Sequence, residues 1–224
     1  MKISKCKQGN HGLTLVEALV VISVIAFGTL LLLPAFVRKG QKSTRISCAY
    51  KLQQIGLAFR IWEGDHGDHF PMSAYTNKLG EPLFANAANG YRYFQVMSNE
   101  LNNPKILICP ADTTRTPATN WDPGFNGRHI SYFIALEADE TFPQMFLAGD
   151  SNLTNGTKLK DGIMEITSNP SVGFTKERHN GAGNIAMADG SVQQFSTAAL
   201  QAALQHTSKT TGLVTNRLLF PDGQ

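Results

Sequence analysis

Between Leu13 and Leu33 the chain runs through 21 residues whose only charged side chain is Glu17. An α-helix needs about 20 apolar residues to cross the hydrocarbon of a bilayer. The run therefore predicts a membrane-spanning or otherwise fully covered helix. A secretory signal core is shorter, about 7–15 residues, and is followed by small residues at a cleavage site. Here Leu32, Leu33 and Pro34 follow instead. A carboxylate inside such a run costs roughly 2.5–3.5 kcal/mol on insertion scales, so Glu17 is expected to face a partner rather than lipid.

Charge does not orient the segment. Lys2, Lys5 and Lys7 precede it, and Arg38, Lys39, Lys42 and Arg45 follow it. The formal net charge of +3 comes from 20 basic against 17 acidic residues. Three of the basic residues lie before Leu13, so the remainder is formally neutral. With no basic run elsewhere, no nucleic-acid partner is expected.

The stretch Gly12-Leu13-Thr14-Leu15-Val16-Glu17, followed by the apolar run and Pro34, resembles the class III leader of type IV pilins and type II secretion pseudopilins. The resemblance implies a leader over 1–12, cut after Gly12 by a prepilin peptidase, with methylation at Leu13. It implies that Glu17 guides assembly by pairing with the free amine of a neighbouring subunit. It further implies partners among copies of the chain or related pilins, inner-membrane assembly machinery and membrane lipid. The head would face away from the cytoplasm, from the inner membrane or from a filament. Two residues depart from the usual pattern: Leu13 stands where phenylalanine or methionine is common, and Ala18 where leucine is common.

Beyond Pro34, Cys48, Leu52, Ile55, Phe59 and Trp62 recur at spacings of four, three, four and three. That is one face of an amphipathic helix. Glu63-Gly64-Asp65 ends it. The expected organisation is a leader over 1–12, a transmembrane or filament-core helix over 13–33, an amphipathic continuation over 34–63 and a globular head over 64–224. The expected fold class is α+β: a pilin-like long helix, half in the membrane and half packed on an antiparallel, β-rich head.

In the head, Lys105–Cys109, Ile130–Leu136, Met145–Ala148 and Leu213–Phe220 read as strands, and Ser196–His206 as a helix. Asp189-Gly190 between two apolar runs predicts a hairpin with a two-residue turn, pairing Met187 with Val192 and Ala186 with Gln193. His179, nine residues and then Asp189-Gly190 resembles a signature of a prepilin-like family abundant in planctomycetes. SCAYKLQQIGLAF and ICPAD resemble the same family.

Cys48 and Cys109 either bridge, tying helix to head, or are small buried apolar residues. His66, His69 and His179 with nearby Asp residues offer an alternative, a metal-binding or hydrolytic domain on a membrane anchor. The glycines at 64 and 67 instead favour a plain turn around His66. No nucleophile stands in a recognisable elbow near His179, so no catalytic activity and no resident metal are expected. Calcium is the one cofactor considered, with Asp150, Asp161, Asp189 and Asp222 as oxygen ligands. Tyr91, Tyr93 and Trp121 are either candidates for an exposed aromatic binding surface or core residues.

Overall fold

The computed structural model describes residues 14–167, 171–212 and 215–221, with side chains of 30–42 left aside. The leader and the processing residues Gly12 and Leu13 lie outside the described residues. Two compact units are present, Met1–Gly40 and Gln41–Gln224.

Helix α1 covers Leu15–Asp65. Among the described residues no helix is long and apolar enough to cross a membrane. This corrects the expected membrane half of a pilin-like fold. Thr14 caps the helix. Glu17 Oε2 accepts from Thr14 N (2.9 Å) and Oγ1 (2.8 Å), while Glu17 N donates to Thr14 Oγ1 at 3.3 Å. Thr14-x-x-Glu17 is thus a capping box, in which each side chain satisfies a backbone donor at the helix start.

The second unit is α+β. Its main sheet has six strands, all paired antiparallel, in the order β4-β8-β1-β2-β6-β7. The strands are β1 (Tyr132–Ala135), β2 (Phe146–Asp150), β4 (Ile163–Thr167), β6 (Ala182–Met187), β7 (Val192–Ser196) and β8 (Thr215–Leu219). Strands β3 (Leu153–Thr154) and β5 (Gly173–Phe174) make a separate two-stranded ladder. Three short helices, α2 (Pro71–Ala74), α3 (Arg92–Val96) and α4 (Ser98–Leu101), fill the segment before the sheet. Helix α5 (Thr197–Thr211) follows β7; Ser196 Oγ caps it, and Gly212 ends it in the left-handed region.

The predicted inner stripe of α1 is buried: Cys48, Leu52, Ile55 and Phe59 are fully enclosed and Trp62 nearly so. Phe59 meets Phe70 and Phe94 edge-on at 6.1 Å between centroids. Tyr93 is fully buried, and Tyr91 and Trp121 pack on Phe125. Of the three expected surface aromatics, Tyr93 is core and Tyr91 and Trp121 are half-buried against it.

Two local expectations change. Lys105–Cys109 is not a strand: Pro104–Leu107 forms a 3₁₀ helix, capped by Asn103, whose side chain accepts from Lys105 N at 3.0 Å. Proline at the first helical position and Asn before it outweigh the β-branched run. Lys51 Nζ then ties the turn to α1 through the carbonyls of Lys105 and Ile108. The β6–β7 hairpin exists, but its loop has three residues, Ala188-Asp189-Gly190. Ala186 faces Val192 and Ile185 faces Gln193, one residue away from the expected register. Gly190 N donates to Met187 O, and Gly190 takes φ +83°. This is the type I turn followed by a left-handed residue that three-residue hairpins favour.

Candidate functional site

Four side chains from four separate segments meet inside the second unit. Cys48 comes from the inner stripe of α1, and Cys109 from the residues just after the 3₁₀ helix. Asp150 ends β2, and His179 lies on the connection from β5 to β6. One ligand atom from each, Sγ, Sγ, a carboxylate oxygen and an imidazole nitrogen, lies within 4.8 Å of the others. Cys48 Sγ donates to Asp150 Oδ1 at 2.8 Å. Cys109 Sγ is 3.2 Å from His179 Nε2, which stands 3.4 Å from Asp150 Oδ2. Both thiols are free, and all four side chains are closed to solvent.

A surrounding layer fixes these groups. Asp150 Oδ2 accepts from Asn184 N and Nδ2, both at 2.8 Å. Tyr132 Oη lies 3.3 Å from Cys48 Sγ. Asp112, three residues after Cys109, accepts from Ser131 Oγ (2.7 Å), Arg115 (2.8 Å) and Arg178 (3.2 Å). Arg178 also donates to Ser131 O and Ser151 Oγ. Asn152 Nδ2 donates to the carbonyls of Thr175, Arg178 and Ala182. ICPAD and the segment around His179 are therefore joined twice: Cys109 to His179, and Asp112 to Arg178.

His179 and Asn180 take φ +51° and +53°, followed by Gly181 at +76°. A residue with a Cβ pays roughly 1–2 kcal/mol in this region. The network around Asn152 and Arg178 holds the strained backbone and aims the imidazole inward. Strain of this kind concentrates at functional sites.

The electrostatics follow from burial and proximity. Burial pushes the Cys48 thiol well above its ordinary range, and Cys109 and Asp150 add to the rise. The Cys109 thiol is brought down to about 6, chiefly by its hydrogen bond with Cys48, against burial and with help from His179. Burial would lower His179, but Asp150 and Cys109 outweigh it and raise the imidazole to about 9. In Asp112 burial is likewise opposed, by Thr114, Ser131, Arg178 and Arg115, which hold the carboxyl well below the usual range.

His179 and Asp189 do not form a pair: His179 joins the cluster, and Asp189 Oδ1 caps its own turn by accepting from Ser191 N at 2.8 Å. A Cβ on Gly56 of α1 would sit 3.4 Å from Gly190 O, so this turn lies close against the helix. His66 stacks on Trp62 at 3.7 Å and contacts Trp62 O, and His69 is exposed, so neither joins His179. Of the four Asp residues considered for calcium, only Asp150 is in the cluster. Asp161 sits in a turn at φ +53°, and Asp222 lies outside the described residues.

The sequence carried no spacing signal for Asp150 as partner of His179, because pairing across the sheet brings them together. Asp112 lay within the ICPAD resemblance but without a role, and nothing marked Arg178 or Asn184. The Thr14-x-x-Glu17 box, by contrast, was readable and gives Glu17 a local role that hydropathy alone does not suggest.

No protein-family model, curated protein or solved structure matches the chain.

Proposed function

We propose that this chain is a prepilin-like structural subunit. In this reading a prepilin peptidase cuts after Gly12 and methylates Leu13. The mature chain then assembles with copies of itself or related subunits into a filament of the type IV pilus or type II secretion pseudopilus class. The observation that carries the proposal is the apolar exposure of the first part of α1. Leu15, Val16, Leu19, Ile22, Val24 and Phe27 are each more than half exposed, on all sides of the helix. Apolar surface contributes about 25 cal/mol per Å² when removed from water, so a helix of this kind calls for cover on every face. Neighbouring helices of the same type supply such cover.

A second apolar row supports the same assembly. Ile46, Tyr50, Leu57 and Ile61 lie on one outward face of α1 and are 47–62% exposed. It is the kind of seam against which another helix packs.

The capping box shapes the test. Glu17→Ala would remove both the charge and the cap. Glu17→Gln retains a side chain that serves in a capping box and removes only the charge. The expected result is a helical Glu17→Gln protein that is processed but fails to enter filaments. Normal assembly by this variant would refute the pairing role of Glu17. N-terminal sequencing of the protein recovered from cells is expected to begin at Leu13; recovery with Met1 in place beside an active peptidase would overturn the proposal.

A further inference from the structure

We infer that Cys48, Cys109, Asp150 and His179 form a structural site for one divalent zinc-type ion, locking α1 to the rest of the second unit. The donors decide the class of metal. Two thiolates and an imidazole suit zinc and related borderline ions, whereas calcium and magnesium take oxygen ligands.

The geometry is close to what such an ion requires. Zinc bonds run about 2.3 Å to sulfur and about 2.0–2.2 Å to nitrogen or oxygen. A tetrahedron of those lengths has edges of about 3.4 Å between nitrogen and oxygen and about 3.6 Å from sulfur to either. Here Cys109 Sγ is 3.2 Å from His179 Nε2, His179 Nε2 is 3.4 Å from Asp150 Oδ2 and Cys48 Sγ is 2.8 Å from Asp150 Oδ1, so the last two contacts use the two oxygens of one carboxylate, and one ligand atom from each residue lies within 4.8 Å of the others. Widening the tightest contact by roughly 0.8 Å would admit the ion.

Three further features point the same way. The four donors are enclosed, so no position is open to a substrate, as in structural rather than catalytic zinc sites. Asn184 gives two hydrogen bonds to the Asp150 carboxylate, orienting it in the manner of the outer layer around metal ligands. His179 is held in a strained left-handed conformation that directs its ring to the cluster. Binding releases two protons to solvent, one from Cys48 and one from the Cys109–His179 pair, leaving two thiolates and a neutral imidazole, and forms two metal–sulfur, one metal–nitrogen and one metal–oxygen bond; no electron changes hands.

The test uses the full-length chain, purified with reductant, stripped with a chelator and titrated anaerobically with cobalt(II) alone, then with zinc. One cobalt per chain is expected. It should give the intense visible absorption of tetrahedral cobalt and a thiolate-to-metal charge-transfer band, and zinc should bleach both. Cys109→Ser and His179→Asn should each lose the charge-transfer band or shift it, and bind the ion at least tenfold more weakly. Because either variant could misfold, the wild-type spectrum and its metal content stand as the independent reading. Absence of the bands from folded, reduced wild-type protein would overturn the inference. So would a Cys48–Cys109 disulfide in protein from cells, or unchanged cobalt spectra in both folded variants.

Discussion

Replacing Asp112 by Asn should destabilise the second unit more than any other single conservative change near the cluster. The Asp112 side chain is 1% exposed and that of Arg178 is 8% exposed, so both charges are buried. Oδ2 receives Ser131, Arg115 and Arg178, and Oδ1 receives Thr114 N and Oγ1. Asn keeps the shape but leaves the Arg178 guanidinium without its counter-charge. Breaking one side of a buried ion pair costs about 3–5 kcal/mol. For a unit of this size that corresponds to a fall in Tm of roughly 6–20 °C. Urea unfolding followed by the fluorescence of buried Trp62 measures it. A second arm uses pH. The Asp112 carboxyl titrates well below its unfolded value near 4, so its contribution is complete above that value and fades as pH falls through the folded value. The gap between wild type and Asp112→Asn should therefore be widest near neutrality and shrink below about pH 4. A double-mutant cycle with Arg178→Met should show a coupling of at least 1 kcal/mol. A loss below 1 kcal/mol for Asp112→Asn, unchanged from pH 7 to pH 3, would refute the claim that this pair anchors the His179 segment.

Two further substitutions probe local chemistry. Gly190→Ala places a Cβ at φ +83° and should cost about 1–2 kcal/mol in urea unfolding, while Gly190→Asn, which tolerates that conformation, should cost less; equal stabilities would remove the left-handed turn from the account. Ser196→Ala deletes the hydroxyl that accepts from Ala199 N at the start of α5 and should cost about 1 kcal/mol, with Ser196→Asp recovering most of it.

Much of the second unit was legible from periodicity. The stripe from Cys48 to Trp62 fixed the inner face of α1, because burial at helical spacing is a local pattern. The strands at β1, β2 and β8 and the helix after Ser196 could be read for the same reason. The hairpin at Asp189-Gly190 was legible as a hairpin, but its register was not. A two-residue and a three-residue loop share the same dipeptide, and the choice depends on how Met187 and Ser191 pair. The strand expected at Lys105–Cys109 failed because Asn103 and Pro104 impose a capped 3₁₀ turn that Lys51 then holds from α1.

What the sequence determined by itself was the helical spacing, the capping box at Thr14 and Glu17, and the long apolar run that asks to be covered. Each is set by residues a few positions apart along one chain. Tertiary structure alone decided that Cys48, Cys109, Asp150 and His179 share one enclosed space, and that Asp112 secures Arg178 beside them. Those contacts join segments as much as 131 residues apart, from Cys48 to His179. Strand pairing and the packing of α1 close those distances, and no spacing along the chain encodes them.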